Sequence, residues 1–338
     1  MSEKQLSSSR RKASGSSTRV KKNSSKKKVS KKKAKKTVAG AKKAPLEMPT
    51  DRALKRHVFL GLCLTGGKTD RSCLAVVEYY PFQHKVFLAR LVERIKSEGE
   101  ISADLQLHYL INQFRSNLHS VAINAPLSAP LCLNCQLDCP GYENCEEPHI
   151  RWMWNHFRQQ KSKRRKVQKL FTPYTERCAE LHISSQLEEP FHPSHAMGAN
   201  AAPVMARAQF IQRRISVPTL EVFPKLSLWR VGRSLGIQKS HLRYHKHSTH
   251  GEEAREAIVS RLIEKDIAFI YDQDVRAMIE NGYAFDAFLS GITAVLQHLG
   301  QCEPRPADFP KQENWLSFPK EQIDWSFGSK SRKGVKGK

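Results

Sequence analysis

The sequence predicts an α/β fold on a mixed sheet, and three observations carry that prediction. His57 to Leu64 is a short, almost continuously apolar run. A run of that kind reads as a strand covered on both faces, and therefore a central one. Ser72 to Tyr80 is β-branched and aromatic, and Gly66 and Gly67 stand in the connection before it, so the two runs read as an antiparallel hairpin. Further along the chain, runs with helical spacing alternate with short strand-like runs, the pattern of an α/β layer structure.

Taken in order, His84 to Val92 is a third antiparallel strand. Residues 101–118 follow as a helix, with Leu107, Leu110, Ile111, Phe114 and Leu118 on one face. His119 to Ala125 is a fourth strand, stopped by Pro126. Three antiparallel strands, a helix and a further strand are the opening of an RNase H-like fold. Helices are expected over 150–169 and 194–214, the second packing through Met197, Val204, Met205, Ala208, Phe210 and Ile211. Thr219 to Phe223 is a fifth strand carrying Glu221, closed by Pro224, with a helix after it near 226–235. Ala254, Ile258, Leu262 and Ile263 mark another helix. Ala284 to Leu299 is apolar nearly all round, which makes it a buried helix, ended by Gly300. Asp286 falls in its first turn by this reading. A carboxylate buried there without a partner is costly, so Asp286 is either a helix N-terminal charge or a functional acid. The expectation is a five-stranded mixed sheet flanked by helices over 57–327, with a cysteine-rich helical insertion over about 126–217.

Charge is spread unevenly. Residues 1–45 carry 17 Lys and Arg against one acid, Glu3, out of a formal +25 for all 338 residues. Lys330, Arg332, Lys333, Lys336 and Lys338 close the chain. The segments 1–56 and 328–338 therefore read as basic tails too poor in apolar residues to order themselves. The dense, unbalanced charge favours sequence-independent binding to nucleic-acid phosphates over a merely solubilising role. No apolar run is long enough for a membrane span, and no apolar secretory core opens the chain. No membrane partner and no small-molecule substrate are expected. The compartment expected is the cytoplasm, in association with the nucleoid, or alternatively the nucleus.

Three local patterns bear on chemistry. Gly66-Gly67-Lys68-Thr69 suggests a phosphate loop, but that pattern needs a glycine at position 62, which is leucine, and a helix after it, where a strand follows. Cys132, Cys135, Cys139 and Cys145 crowd around a Pro140-Gly141 turn. In a chain read as intracellular such a cluster suggests a structural metal, zinc ahead of an iron–sulfur cluster, rather than disulfides. Lys163, Arg164, Arg165 and Lys166 follow Trp152, Trp154 and Phe157, a basic stripe beside aromatics that suits single-stranded nucleic acid. For the tryptophans themselves, core packing is the stronger reading. The histidines at 241, 245, 247 and 250 are irregularly spaced and interrupted by bases, so they read as a polar loop.

Six stretches, in order and spacing, carry a resemblance: GLCLTGGKTDRSCLAVVE, VAINAPLSAP, TLEVFP, YHK with GEEAREAIVSRL, YAFDAFLSGITA and ENWLSFP. Together they resemble the domain of unknown function 429 family, regarded as predicted nucleases of the RNase H-like superfamily. The resemblance implies that carboxylates of the first strand, a later strand and the last helix hold one or two Mg²⁺ or Mn²⁺ ions, which activate water and stabilise the leaving oxygen. Glu221 and Asp286 match acidic positions of the family. Where its members usually have aspartate, this chain has Cys63 and Asn124. A thiol is a poor magnesium ligand and an amide is neutral. Each negative charge lost about 4 Å from a metal removes a few kcal/mol at an effective dielectric near ~20. The expectation is a nucleic-acid-binding protein with a degraded metal site. Its alternatives are an active nuclease using Glu221, Asp286 and Asp70, and a non-enzymatic scaffold whose cysteine loop docks a partner.

Removing residues 1–45 should weaken non-specific DNA binding and flatten the fall of log K with log salt, because fewer counterions are then released. Titrations at several salt concentrations check this, and an unchanged slope would overturn it.

Overall fold

The structure, a computed structural model, describes residues 55–66, 71–163, 170–186, 196–198, 201–246 and 250–327. The expected disorder of the tails, the Asp70 alternative, and Arg164, Arg165, Lys166 and His247 lie outside the described residues.

Among the described residues the sheet has seven strands: β1 (His57–Cys63), β2 (Ser72–Tyr80), β3 (Lys85–Ile95), β4 (Leu118–Ile123), β5 (Thr219–Val222), β6 (Ala268–Phe269) and β7 (Leu316–Ser317). Their order is β6-β3-β2-β1-β4-β5-β7. β2 runs antiparallel to both β1 and β3, and the other pairings are parallel. The expectation of five strands is corrected at both edges. β6 and β7 are two residues long, too short for an alternation to register in the sequence, and pairing to β3 and β5 is what makes them strands. β1 is central as expected, flanked by β2 and β4 and buried from Val58 to Cys63.

Two apolar layers cover the sheet, and alternation along β1 divides them. Val58, Leu60 and Leu62 face the helices α1 (Ala103–Asn112) and α4 (Ala202–Gln212), through Leu107, Ile111, Ala208 and Ile211. Phe59 and Cys63 face the other layer, dominated by α9 (Gly282–His298) with α5 (Pro224–Ser234) and α7 (Gly251–Glu264) around it. Between these lie α6 (Lys239–Arg243) and α8 (Asp272–Glu280). The segment between β4 and β5 adds α2 (Pro148–Lys163) and α3 (Cys178–Gln186), with a small apolar cluster of their own around Ile150, Met153, Phe171 and Phe309.

Several boundaries differ from expectation. The helix expected over 194–214 spans only Ala202–Gln212, residues 196–198 form a turn instead, and Phe210, expected to pack, is exposed because it falls on the outer face of the helix. The helix expected over 101–118 ends at Asn112, where turn bonds such as Phe114 N–H to the Ile111 carbonyl (3.1 Å) break the repeat. Leu118 keeps the helical spacing in sequence, but pairs with Val58 and opens β4. α9 begins at Gly282, earlier than expected, because Asn281 caps it by accepting from the Tyr283 and Ala284 N–H groups (3.0 and 3.4 Å). Asp286 therefore lies past the first turn, and its reading as an N-terminal helix charge is withdrawn.

α9 crosses β1 nearly backbone to backbone. A methyl group at Gly61 would overlap the Ala287 carbonyl and the Gly291 backbone, and one at Gly291 would strike Val77. This approach brings Asp286, the neighbour of Ala287, level with the end of β1. Gly61→Ala should cost more than the about 1–3 kcal/mol of ordinary overpacking, because backbone cannot step aside as a side chain can. Urea unfolding measures it; a cost under about 1 kcal/mol would mean that the helix can lift away.

Candidate functional site at the ends of β1, β4 and β5

Cys63 closes β1, Asn124 follows β4, Glu221 lies in β5 and Asp286 in α9. Because β1, β4 and β5 are parallel, their C-terminal ends open on the same edge of the sheet, where α/β proteins hold ligands. A pocket of about 440 Å³ lies there, bordered by Thr65, Asn124, Arg177, Glu221, Lys246 and Tyr283. Cys63 and Asp286, both 0% exposed, sit behind its wall.

The four positions form two linked pairs. Asn124 donates from Nδ2 to Cys63 Sγ (3.0 Å), and its Oδ1 accepts the Leu64 N–H (2.6 Å). Burial, and after it the Asp286 charge, push the Cys63 thiol well above its ordinary value, so it stays protonated. Burial alone would raise the Asp286 carboxyl as well. The Lys246 ammonium against Oδ2, and His245 with Nε2 3.6 Å from Oδ1, outweigh it and hold that carboxyl below the usual range. Neither approach is an aligned hydrogen bond, and among the described residues both Asp286 oxygens and both His245 ring nitrogens lack one. His245 is placed from outside the pocket: Arg255 donates to its carbonyl and to that of Ile279, tying the turn after α6 to the end of α8.

Glu221 is held differently. Arg177 grips it with two bonds, Nη2 to Oε1 (2.5 Å) and Nη1 to Oε2 (2.9 Å), while the Leu127 N–H adds a third to Oε2 (2.8 Å). The same guanidinium donates from Nε to Glu180 (2.9 Å). Glu313 caps α3, accepting from the Cys178 and Ala179 N–H groups (2.9 and 2.7 Å). One buried cation thus faces three carboxylates. Burial lifts the Glu313 carboxyl to about 7, against the opposing pull of Arg177 and the two amides, with the Glu180 charge adding to the rise.

Sequence reasoning named Cys63, Asn124, Glu221 and Asp286, and the structure brings all of them to this edge. It missed Lys246, His245, Arg177, Glu180 and Glu313. The polar-loop reading of the histidine segment is corrected: His241 lies in α6, while His245 is buried against Asp286. The available signal was Tyr244-His245-Lys246 just before an apolar helix. Arg177 left no signal, since nothing local distinguishes it from a solvated base.

Elsewhere, Lys163 ends α2, and its side chain lies outside the described residues. Trp152, Trp154 and Phe157 pack against the α2–α3 cluster, as the core reading has it. Cys132 and Cys145 are half-buried, Cys135 and Cys139 exposed, and all four are free thiols. Among the described residues no group of three or more His, Cys, Asp or Glu side chains is placed so that it could hold a metal ion, and no helix is long and apolar enough to cross a membrane.

Comparison with protein-family models, with curated proteins and with solved structures gave no significant match in any of the three.

The raised Glu313 carboxyl makes stability depend on pH in a definite direction. Its folded value of about 7 exceeds the ordinary 4.5, so the folded state holds the proton more tightly. Its contribution to stability should fall as pH rises from about 4.5 to about 7 and level off above that. Glu313→Gln should be less stable at low pH, having lost one amide bond worth about 1–3 kcal/mol, but should lack that fall. Urea midpoints for both chains at about pH 5 and about pH 8 check it; parallel profiles would overturn it.

Proposed function

We propose that this chain is a nucleic-acid-binding protein with an RNase H-like core, in which internal cations have replaced the divalent metals of the nucleases it resembles. The order β3-β2-β1-β4-β5 with β2 reversed supports the RNase H-like reading of the sheet.

One observation carries the loss of the metal. Each carboxylate of the site, Asp286 and Glu221, is already matched by a cation of the same chain, Lys246 and Arg177. To ligate a metal, either must first release its partner. For Glu221 that breaks a buried two-bond pair and leaves the guanidinium bonded to Glu180 through Nε, at a cost of up to about 3 kcal/mol, or roughly 100-fold in metal affinity. Lys246 is less firmly committed, because its side chain is 55% exposed and its ammonium can return to water. The neutral pair Cys63–Asn124 adds no charge to offset either loss. Binding to DNA or RNA then rests on the basic tails and on Lys163, Arg164, Arg165 and Lys166, and requires no cleavage. On this reading the chain works on nucleic acid in the cytoplasm, with the nucleoid, or in the nucleus.

A second reading, an active Mg²⁺- or Mn²⁺-dependent nuclease, is favoured by one feature. Asp286 is fully buried with neither oxygen in an aligned hydrogen bond, so a divalent cation taking the place of the Lys246 ammonium would break no aligned bond.

Melting curves with and without Mg²⁺ or Mn²⁺, together with cleavage assays on single- and double-stranded DNA and RNA, separate the two. The unmodified chain should show no metal-dependent rise in its midpoint and no cleavage. Cys63→Asp with Asn124→Asp and Lys246→Ala should gain a metal-dependent rise of several degrees. If the unmodified chain cleaves and Asp286→Asn abolishes cleavage, the active-nuclease reading replaces this one.

A further inference from the structure

The crossing of α9 over β1 sets Asp286 at one end of the strand and a second group of titratable side chains at the other. His57 opens β1, His119 is the second residue of β4 and His298 is the last of α9. β1 and β4 are parallel, so His57 and His119 stand at the edge of the sheet opposite the pocket. The three rings touch in pairs, with centroids 4.4, 5.1 and 4.9 Å apart, and the Phe59 ring lies against His119 and His298. His57 Nδ1 and His119 Nε2 are 2.5 Å apart, a bond in which one ring nitrogen donates and the other accepts. Beside them lies a cleft of about 640 Å³, bordered by Lys55, Arg56, His57, Ser116, Asn117 and His119.

We propose that this cleft binds a phosphate group, held by His57, His119 and Lys55 with His298 against both rings, and that it does so as the imidazoles take up protons. The anion site is independent of the reading of the pocket; only its identification with the phosphates of a nucleic acid rests on the proposed nucleic-acid binding.

Charge is its first support. Among the described residues, none that borders the cleft is acidic. On β2, Tyr79 lies opposite His57, and Glu78 is already matched by Arg56 (3.0 Å) and the Tyr80 hydroxyl (2.6 Å). Past the end of α9, Lys320 donates to the Gly300 carbonyl (2.8 Å), so the charge there is positive too. Burial, then His119, His298 and Lys55, hold His57 below its ordinary value; burial and then His119 do the same to His298. Each of these influences opposes a proton. Imidazoles this close repel once more than one is charged, and an anion shared between them removes that repulsion.

Chemistry and position then favour phosphate. Its oxygens accept charge-assisted bonds from imidazolium and ammonium groups, and the neutral donors of Ser116 and Asn117 border the same cleft. The cleft begins at Lys55, where the chain enters the sheet soon after the basic segment 1–45. Binding and protonation are linked: protons raise the affinity for phosphate, and phosphate raises the affinity for protons by the same factor. Affinity should therefore rise as pH falls through the histidine range, from about 6.5 downward. The lysines and arginines keep their charge throughout and add nothing to that dependence.

The test uses the full chain and an oligothymidylate, whose phosphodiesters and bases do not titrate between about pH 5.5 and about pH 8, at one salt concentration. Binding several-fold tighter at the lower pH is expected in the unmodified protein. His57→Gln with His119→Gln should keep the affinity at the higher pH and lose most of that gain. If the double variant melts early, His119→Gln and His298→Gln singly, both at exposed positions, carry the test, and each should lose part of the gain. Inorganic phosphate is the second arm. In NMR titrations it should raise the protonation midpoints of His57, His119 and His298 and leave those of the exposed His241 and His250 where they are. Midpoints that rise with phosphate while the oligonucleotide fails to bind at either pH would support the site, assign it to a free phosphate and refute the nucleic-acid reading. A gain that survives the substitutions, together with midpoints indifferent to phosphate, would overturn the proposal.

Discussion

The contact between Gly61 of β1 and the backbone of α9 is the constraint on which the rest of the structure depends. Two glycines, Gly61 and Gly291, remove the side chains that would hold helix and sheet apart, and Val77 fills the remaining space. The helix that approaches this closely is buried along almost its whole length, from Ala284 to Leu296. A buried helix has no water to solvate a charge, so Asp286 must be answered by the chain itself. Lys246 and His245 answer it from the turn after α6, and Arg255 anchors that turn to α8. The close packing of two backbones thus dictates the electrostatics of the pocket wall beside them.

The pocket edge is a set of buried charges, each met by a neighbour, but with unequal reserve. Glu221 has three well-aligned donors, and its guanidinium partner is sandwiched against a second carboxylate. Asp286 has contacts that are close but poorly aligned. The difference matters because a low-dielectric interior magnifies both attraction and misalignment. Glu221 and Arg177 act as a structural clamp joining β5 to the start of α3, whereas Asp286 and Lys246 form the part of the edge able to rearrange. Glu313 completes the clamp from the far end of the chain, so β5, the segment after β4, α3 and residue 313 are bound into one electrostatic unit.

The segment around α2 and α3 obeys a different logic. Its apolar cluster is small and aromatic, with Trp154, Phe157 and Phe171 packed edge to face and Trp152 edge to face on Phe309. Such a cluster orders the helices but not the turns that precede them, and the turns are where the cysteines gather.

Much of the sheet was legible in the sequence. β1, β2 and the buried helix α9 announce themselves because a strand covered on both faces and a helix covered all round must be apolar along their whole length. Asp286 stood out as an acid inside such a run and Glu221 as an acid in a short strand, whereas Asn124 and the missing acid at Cys63 were singled out by the resemblance. The two-residue strands β6 and β7 left no trace, since their identity comes from the neighbours they pair with. Leu118 carried a helical spacing that tertiary pairing overruled. The partners of the buried charges were hidden for the same reason. Lys246 is 40 residues from Asp286 and Arg177 is 44 from Glu221, and no local pattern marks a base that will fold onto a carboxylate that far away. The sequence by itself determined which apolar elements would be buried, because that follows from local hydrophobic pattern; only the tertiary structure decided which charged groups are buried with them and which charges meet, because that depends on where the packed elements bring the chain back upon itself.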